Sequence, residues 1–488
     1  MKRVALLLPA CLLMVFFVSN ASGAPIKVWE KWYYQDWDGA KFFDIELTDS
    51  DSLFITCSIY DYTVPLLDGY SAILMNQNGD VLWEVHHPWY TGRGLDGAIL
   101  PDGSYVITGR SVLTSSDTYS LFIMKIDQNG SIEWTKVYDY PTSREEGFGI
   151  TCLPDGGFAV CGRVNGWSTV GGEAWILRTD ANGDTLWTDV WGTSPGCWGK
   201  SVTCQDGEIV VLAFGRDDTL TNIGTHLLFY DLDGNYLHGT EDIVLKSEEP
   251  TEMCVPDEGG FTFATKSDPE VVHTDPLGEI VWLQDIDPPP TLHDGFGIRT
   301  TMDGGYLFCG WCGVWQIPDS LMMSTPIAQV DTGSTKDGWL VRLDSEGNTL
   351  WQVQNEMGYD NIFCSAVQLP QGGYIAAGCW TDNGYLVRYA PETGIEEPDP
   401  SSGISLSVSP NPFSSGLSID YSLSEPGKVE LSVYDLTGRL VENLEFSSLP
   451  AGEHISTWNP EPDTPDGCYL VVLHTCGQRF ASRCVKLD

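Results

Sequence analysis

The sequence predicts an all-β protein: a seven-bladed β-propeller followed by a small Ig-like β-sandwich. Three observations carry that expectation. A unit with four short apolar runs recurs along most of the chain, its marker tryptophans and histidine at Trp83, Trp134, Trp187, His238, Trp282 and Trp351. A repeat of this size with four strand-like segments is the signature of a propeller blade. Two glycine turns punctuate each unit, as tight hairpins require. No stretch between those turns has the 3.6-residue apolar period of an amphipathic helix.

The amino-acid balance agrees. Lys and Arg total 25 and Asp and Glu total 68 of 488 residues, so the net charge is 25 − 68 = −43. A general nucleic-acid binder needs a basic surface, and a protein held on anionic lipid needs a basic patch. Both classes are excluded or disfavoured, and no nucleic-acid partner is expected. Apolar residues make up 42% of the chain, enough to build a core and too many for wholesale disorder.

The first element, residues 1–23, reads as a secretory signal peptide. Met1-Lys2-Arg3 is basic, Val4 to Val18 is apolar apart from Pro9, and small residues follow. Cleavage after Gly23 leaves Ala21 and Gly23 at the small-residue positions. Leu8-Pro9-Ala10-Cys11 is a poor lipoprotein site, because the apolar run continues past the cysteine. No later segment approaches the apolar length of a membrane helix, so the mature chain is expected to be exported and soluble. An exported chain can hold disulfides, and of the 14 cysteines all but Cys11 follow the signal.

The propeller is expected over residues 24–395. Its third copy shows the unit best. Gly147 to Leu153 is one strand, Pro154-Asp155-Gly156-Gly157 the turn, and Phe158 to Gly162 the next strand. Ala174 to Asp180, Asn182-Gly183 and Thr185-Leu186-Trp187 complete it. The first copy is degenerate at Asp49-Ser50-Asp51, the fourth has His238 in place of Trp, and the sixth carries a long insertion after Trp311. The seventh copy ends at Tyr385-Leu386-Val387-Arg388-Tyr389 with no tryptophan strand behind it. The stretch Val28-Trp29-Glu30-Lys31-Trp32-Tyr33 looks like a last strand with no blade before it. We expect it to supply the outer strand of blade seven and close the ring, leaving no free edges there.

The glycine turns share one face of the ring, so the longer and more variable connections share the other. Binding residues usually sit on such loops. The position that opens each repeat is expected to point at the channel mouth on that face. It carries Arg93, Glu146, Glu248 and Asp294, with Trp167, Trp311 and Trp315 on nearby loops. Tryptophan beside carboxylates is how a glycan or peptide site would look, and a solvated rim is the bland reading. Cys309-Gly310-Trp311-Cys312 lacks both the helix N-terminus of a redox pair and the second ligand pair of a zinc site. It reads as small buried residues, because Cys57 and Cys161 occupy the same repeat position as Cys309. Cys364 and Cys379 flank one hairpin and are a candidate cross-strand disulfide, which a register error of one residue would remove. Asp180 to Asp184 and Asp231 to Asn235 resemble half a calcium loop but lack the remaining oxygen ligands, and read as hairpin turns. No metal, cofactor or catalytic residue is assigned.

The Asp-x-x-Gly-x-x-x-Trp pattern at Asp127, Gly130, Trp134, at Asp180, Gly183, Trp187 and at Asp344, Gly347, Trp351 resembles the tryptophan-docking motif of pyrroloquinoline-quinone repeats. That resemblance implies tryptophans packed between blades. It does not carry over the quinoprotein enzyme, which has adjacent cysteines over its cofactor, whereas no two cysteines here are adjacent.

Glu396 to Gly403 is a linker by composition. Residues 404–488 alternate apolar and polar positions between regular turns, as a small β-sandwich does. Pro410-Asn411-Pro412-Phe413, then Val433-Tyr434-Asp435-Leu436 with Gly438-Arg439, then Ala451-Gly452-Glu453-His454 and Trp458, and finally Lys486 form an ordered set. It resembles the C-terminal sorting domain of type IX secretion, and equally the Ig-like domain of the flagellar hook-capping protein. The first resemblance implies an outer-membrane secretion machinery as partner and a secreted or cell-surface protein that has crossed the periplasm. The second implies a plain appendage.

Three functions stay open at this stage. The first is a binding or scaffold module for an extracellular glycan or protein. The second is a polysaccharide hydrolase or lyase using carboxylates at the channel mouth. The third is a structural envelope component or adhesin.

Overall fold

A computed structural model describes residues 24–487 except 34–38, 62–66, 88–90, 113–118, 141–143, 165–171, 193–195, 216–223, 241–242, 244–248, 268, 287–291, 314–335, 356, 358–359, 381–382, 392–404, 424–425, 436–439, 461–463 and 476–477. Seven four-stranded antiparallel sheets follow one another along the chain, and all but the last are built from four consecutive strands. In the last sheet the strands Asn361–Gln368, Tyr374–Trp380 and Asn383–Tyr389 are completed by Lys27–Tyr33 from the other end of the chain. Trp32 faces Tyr385 and Glu30 faces Val387 in that pairing. The N-terminal strand thus closes the ring as the repeat count predicts.

The core lies between blades rather than within them. One cluster joins Val106 and Leu121 of blade two to Phe158, Val160 and Trp175 of blade three. Another joins Phe42 and Ile55 of blade one to Ile375 and Leu386 of blade seven. Each blade buries both faces of its middle strands, so those strands read as apolar runs rather than as alternating ones. Val210 to Ala213 and Leu227 to Tyr230 are fully or almost fully buried.

The marker tryptophans hold adjacent blades together. A Cβ on Gly130 would lie 2.7 Å from the Trp83 ring, one on Gly183 2.8 Å from Trp134, and one on Gly234 2.7 Å from Trp187. Each of these turn glycines also has a positive φ. Glycine is therefore required twice, by the turn and by the ring pressed onto it. Trp29 lies over Gly79 in the same way, which seats the N-terminal strand as a true outer strand. In blade four His238 stacks on Phe229 of its own blade at 4.2 Å, and Thr240 covers Gly278.

The C-terminal module is two sheets over one core. Ser405–Ser409, Leu417–Leu423 and Gly452–Trp458 form one. Leu440–Leu449, Gly427–Asp435, Gly467–Thr475 and Gln478–Lys486 form the other. Leu417, Ile419, Tyr421 and Trp458 from the first sheet meet Val429, Leu431, Val433 and Val471 from the second. No helix among the described residues is long and apolar enough to cross a membrane.

Candidate functional site

The inner strands of the seven blades surround the axis: Gly39–Leu47, Thr91–Ile99, Glu146–Cys152, Trp198–Gln205, Pro250–Cys254, Leu292–Thr300 and Asn361–Gln368. Every one of them has a register shift against its neighbour. A bulge inserts one extra residue and re-aims the side chains around it. The extra residues are Phe43, Leu95, Phe148, Lys200, Phe296 and Cys364, with Thr251 beside the shift in blade five. All seven line one cavity of about 360 Å³ on the axis. The bulges therefore give the ring its binding-sized hollow.

Three phenylalanines, Phe43, Phe148 and Phe296, supply aromatic walls. Lys200, Lys266 and Glu249 sit at the end from which the inner strands begin. The Lys200 ammonium pairs with Glu249 and lies 5.1 Å from the Phe148 ring centre. Burial pulls the Lys200 pKa down, and Glu249 works against that pull.

The residue after each bulge is Asp44, Asp96, Gly149, Ser201, Gly297 and Ser365 in six blades, and Glu252 in blade five. Asp44, Asp96, Ser201 and Glu252 of this set line the cavity as its floor. Carboxylate oxygens of Asp44, Asp96 and Glu252 lie within 4.8 Å of one another. Arg299 Nη2 donates to Asp44 Oδ1 at 2.7 Å and to Glu46 Oε1 at 2.9 Å, and Nη1 donates to Glu252. Ser365 Oγ donates to Asp44 Oδ1 at 3.0 Å, and the Ile150 amide to Asp96 Oδ2 at 2.7 Å. Asp44 is 4% exposed, and its Oδ2 is buried without a hydrogen-bond partner. Four carboxyl groups thus face one guanidinium. Burial and the neighbouring Asp44 and Glu252 push the Asp96 carboxyl well above the usual range. Burial also raises Glu252 to about 8 and Glu46 to about 7, with Arg299 opposing both. Burial opposes the Arg299 charge, but the surrounding acids hold it on.

The repeat-start residues occupy other places. Glu146 is buried between Arg110 and Arg163, the latter at 2.6 Å. Arg93 faces Arg110 across its hairpin, and Asp294 accepts a hydrogen bond from Ser267 at 3.3 Å. None of the three lines the cavity. Trp311 is 9% exposed, packed in blade six under the Lys336 ammonium at 4.4 Å. Glu248, Trp167 and Trp315 lie outside the described residues. Glu249, not Glu248, holds the repeat-start position in blade five, since its carbonyl accepts the Lys266 amide directly before the Pro250–Thr265 pair. The bulge places the cavity-lining set two or three residues further along each strand than the repeat start. Cys379 faces Ile362 across their shared hairpin, while Cys364 is the bulge residue of the inner strand.

In the C-terminal module Pro410, Asn411 and Pro412 are exposed, and Phe413 is buried against Trp458 at 5.4 Å. Phe413 exchanges backbone hydrogen bonds with Val485 and Leu487 at 2.9 Å each, and Asn411 Oδ1 accepts the Val485 amide at 2.9 Å. Lys486 is buried and pairs with Asp466 at 2.8 Å. The start of the motif is thereby stitched to the end of the chain. Tyr434 pairs with Leu470 in the sheet; the Asp435 side chain, Gly438 and Arg439 lie outside the described residues.

Residues 407–486 match the secretion system C-terminal sorting domain. The protein is accordingly one that is secreted or displayed at the cell surface, and the sorting domain's partner is the secretion machinery. No curated protein matches the chain in sequence. Among solved structures it is similar to virginiamycin B lyase from Staphylococcus aureus, at 14% identity and a TM-score of 0.46, over 74% of this chain and 98% of that one. It is also similar to YCF48 from Cyanidioschyzon merolae, at 9% identity and a TM-score of 0.42, over 74% and 98%. A gluconolactonase from Xanthomonas campestris shares 11% identity at a TM-score of 0.34, over 76% and 99%. These similarities carry nothing over to the chemistry of this chain.

Proposed function

We propose that this is an exported carbohydrate-binding propeller whose ligand enters the axial cavity. In this reading the chain loses its signal after Gly23, residues 404–488 direct export, and residues 24–395 are the functional product. The observation that carries it is the pairing of an aromatic collar with a carboxylate floor inside one cavity. The half-buried faces of Phe43, Phe148 and Phe296 suit the C–H face of a sugar ring. Carboxylates below them accept hydrogen bonds from hydroxyl groups, and charge-assisted bonds of that kind are stronger than neutral ones. The acidic floor favours a neutral or amino sugar over a uronate. The test is a glycan array probed with the mature chain. Binding to neutral or amino-sugar glycans, weakened when Phe296 is replaced by alanine, supports the reading. Binding to no glycan, or equal binding by the variant, overturns it.

A second reading rests on the convergence of Asp44, Asp96 and Glu252. Glycoside hydrolases set two carboxyl groups ~5–10 Å apart around the scissile bond, and the shorter separations belong to retaining enzymes. A polysaccharide hydrolase would release reducing ends from a bound glycan, and Asp96→Asn would stop that release while leaving binding measurable. Unchanged polymer after prolonged incubation removes this reading and leaves the first.

A further inference from the structure

The floor of the cavity combines three features that ordinary ion pairing does not explain together. Asp44, Asp96 and Glu252 each bring a carboxylate oxygen within 4.8 Å of the other two. Arg299, with Glu46 added to the set, leaves three carboxyl groups unbalanced. Asp44 Oδ2 is buried without a partner although its side chain is 95% buried. A buried acceptor without a donor costs about 1–3 kcal/mol, and more when it is charged. Asp44 lines the cavity as a member of that cluster, where a cation would satisfy the oxygen.

We propose that Asp44, Asp96 and Glu252 form a binding site for one divalent cation of the calcium class. The donors are all hard oxygens, which suit calcium or magnesium rather than zinc or copper. Coordination habit favours the larger ion. Calcium accepts irregular sets of about six to eight oxygens at about 2.3–2.6 Å, while magnesium demands near-ideal octahedral geometry at about 2.0–2.1 Å and keeps most of its waters. The small residues at the same position in the other blades, Gly149, Ser201, Gly297 and Ser365, leave room for water or ligand oxygens. At Gly297 an added Cβ would lie 3.1 Å from Glu252 Oε2 and 2.9 Å from the Cys364 carbonyl oxygen. The three ligands come from blades one, two and five, so no local motif announces them and no metal is expected from pattern alone. The inference deepens the carbohydrate reading, because a cation on this floor would meet sugar hydroxyls directly, but its test needs no sugar.

The experiment is calorimetric titration of calcium chloride into the mature chain, stripped with chelator and dialysed into 0.3 M salt to suppress diffuse binding by the acidic surface. One ion per chain is expected, with thermal stability rising with calcium concentration. Asp96→Asn and Asp44→Asn should each weaken binding at least tenfold. Asn keeps the size of Asp and can still accept the Ile150 amide, so without calcium Asp96→Asn should be as stable as the parent, which separates a lost ligand from a lost fold. Asp231→Asn, in a surface turn, should bind as the parent does. No saturable binding by the parent overturns the proposal, as does binding that survives Asp96→Asn and is lost in Asp231→Asn. Calcium binding without glycan binding keeps the cation and discards the carbohydrate reading; the reverse does the opposite.

Discussion

Whether a side chain reaches the axis is decided by one residue per blade. Asp44, Asp96 and Glu252 were readable as letters: the same repeat position is Gly or Ser in the other four blades, and a charge there is out of place. What hid them was the bulge, because counting forward from the repeat start assumes a regular two-residue period that the inner strands break. Arg299 was hidden for the same reason. Glu145 offers a test at this scale, away from the floor. Burial raises its carboxyl to about 7, above its ordinary value. The folded state therefore holds a proton that the unfolded chain releases near pH 4–5. Its stabilising contribution is complete below that point and is lost as pH rises through about 7. Glu145→Gln should melt with the parent at pH 4 and above it at pH 8. Equal melting at both values would contradict the buried environment.

Blade-to-blade docking was the most legible element, because a tryptophan follows the turn glycine of most repeats by four residues. Trp187 packs over Gly234 of the next blade, stacks on Tyr230 at 5.9 Å and donates to the Leu232 carbonyl at 3.0 Å. Trp187→Ala should cost roughly 2–3 kcal/mol, below the range for a fully buried tryptophan because the ring is only half-buried. His238→Ala should cost less, since His238 stacks only within its own blade. Chemical unfolding of the two variants checks the order, and an equal loss would mean that the tryptophan does not bridge blades. Cys309 and Cys312 were also legible as core. Both are buried in the strand Tyr306–Gly313, and burial pushes the Cys309 thiol up rather than toward the reactive thiolate. The placement of Cys364 and Cys379 across their hairpin was less legible, because it depends on a register that the bulge at Cys364 shifts.

At the scale of the molecule, the ring count and the export module were both visible in the sequence, one from periodicity and the other from an ordered motif. Ring closure depends on Lys27–Tyr33, which pairs along Asn383–Tyr389 and seats Trp32 against Tyr385 at 6.0 Å. A mature chain starting at residue 34 would leave that strand as an open edge beside exposed core. It should elute as aggregate, or melt well below the parent, on size exclusion and calorimetry. Normal elution and melting would show that closure is dispensable. The cavity itself was invisible to pattern reading, since its lining is drawn from all seven blades and appears only when the ring closes. Its role is tested by calorimetric titration of the best array glycan into the parent and into Phe296→Ala. We predict at least a tenfold loss of affinity in the variant, about 1.4 kcal/mol, with unchanged thermal stability; equal affinity in the two proteins would place the ligand outside the channel and contradict the account.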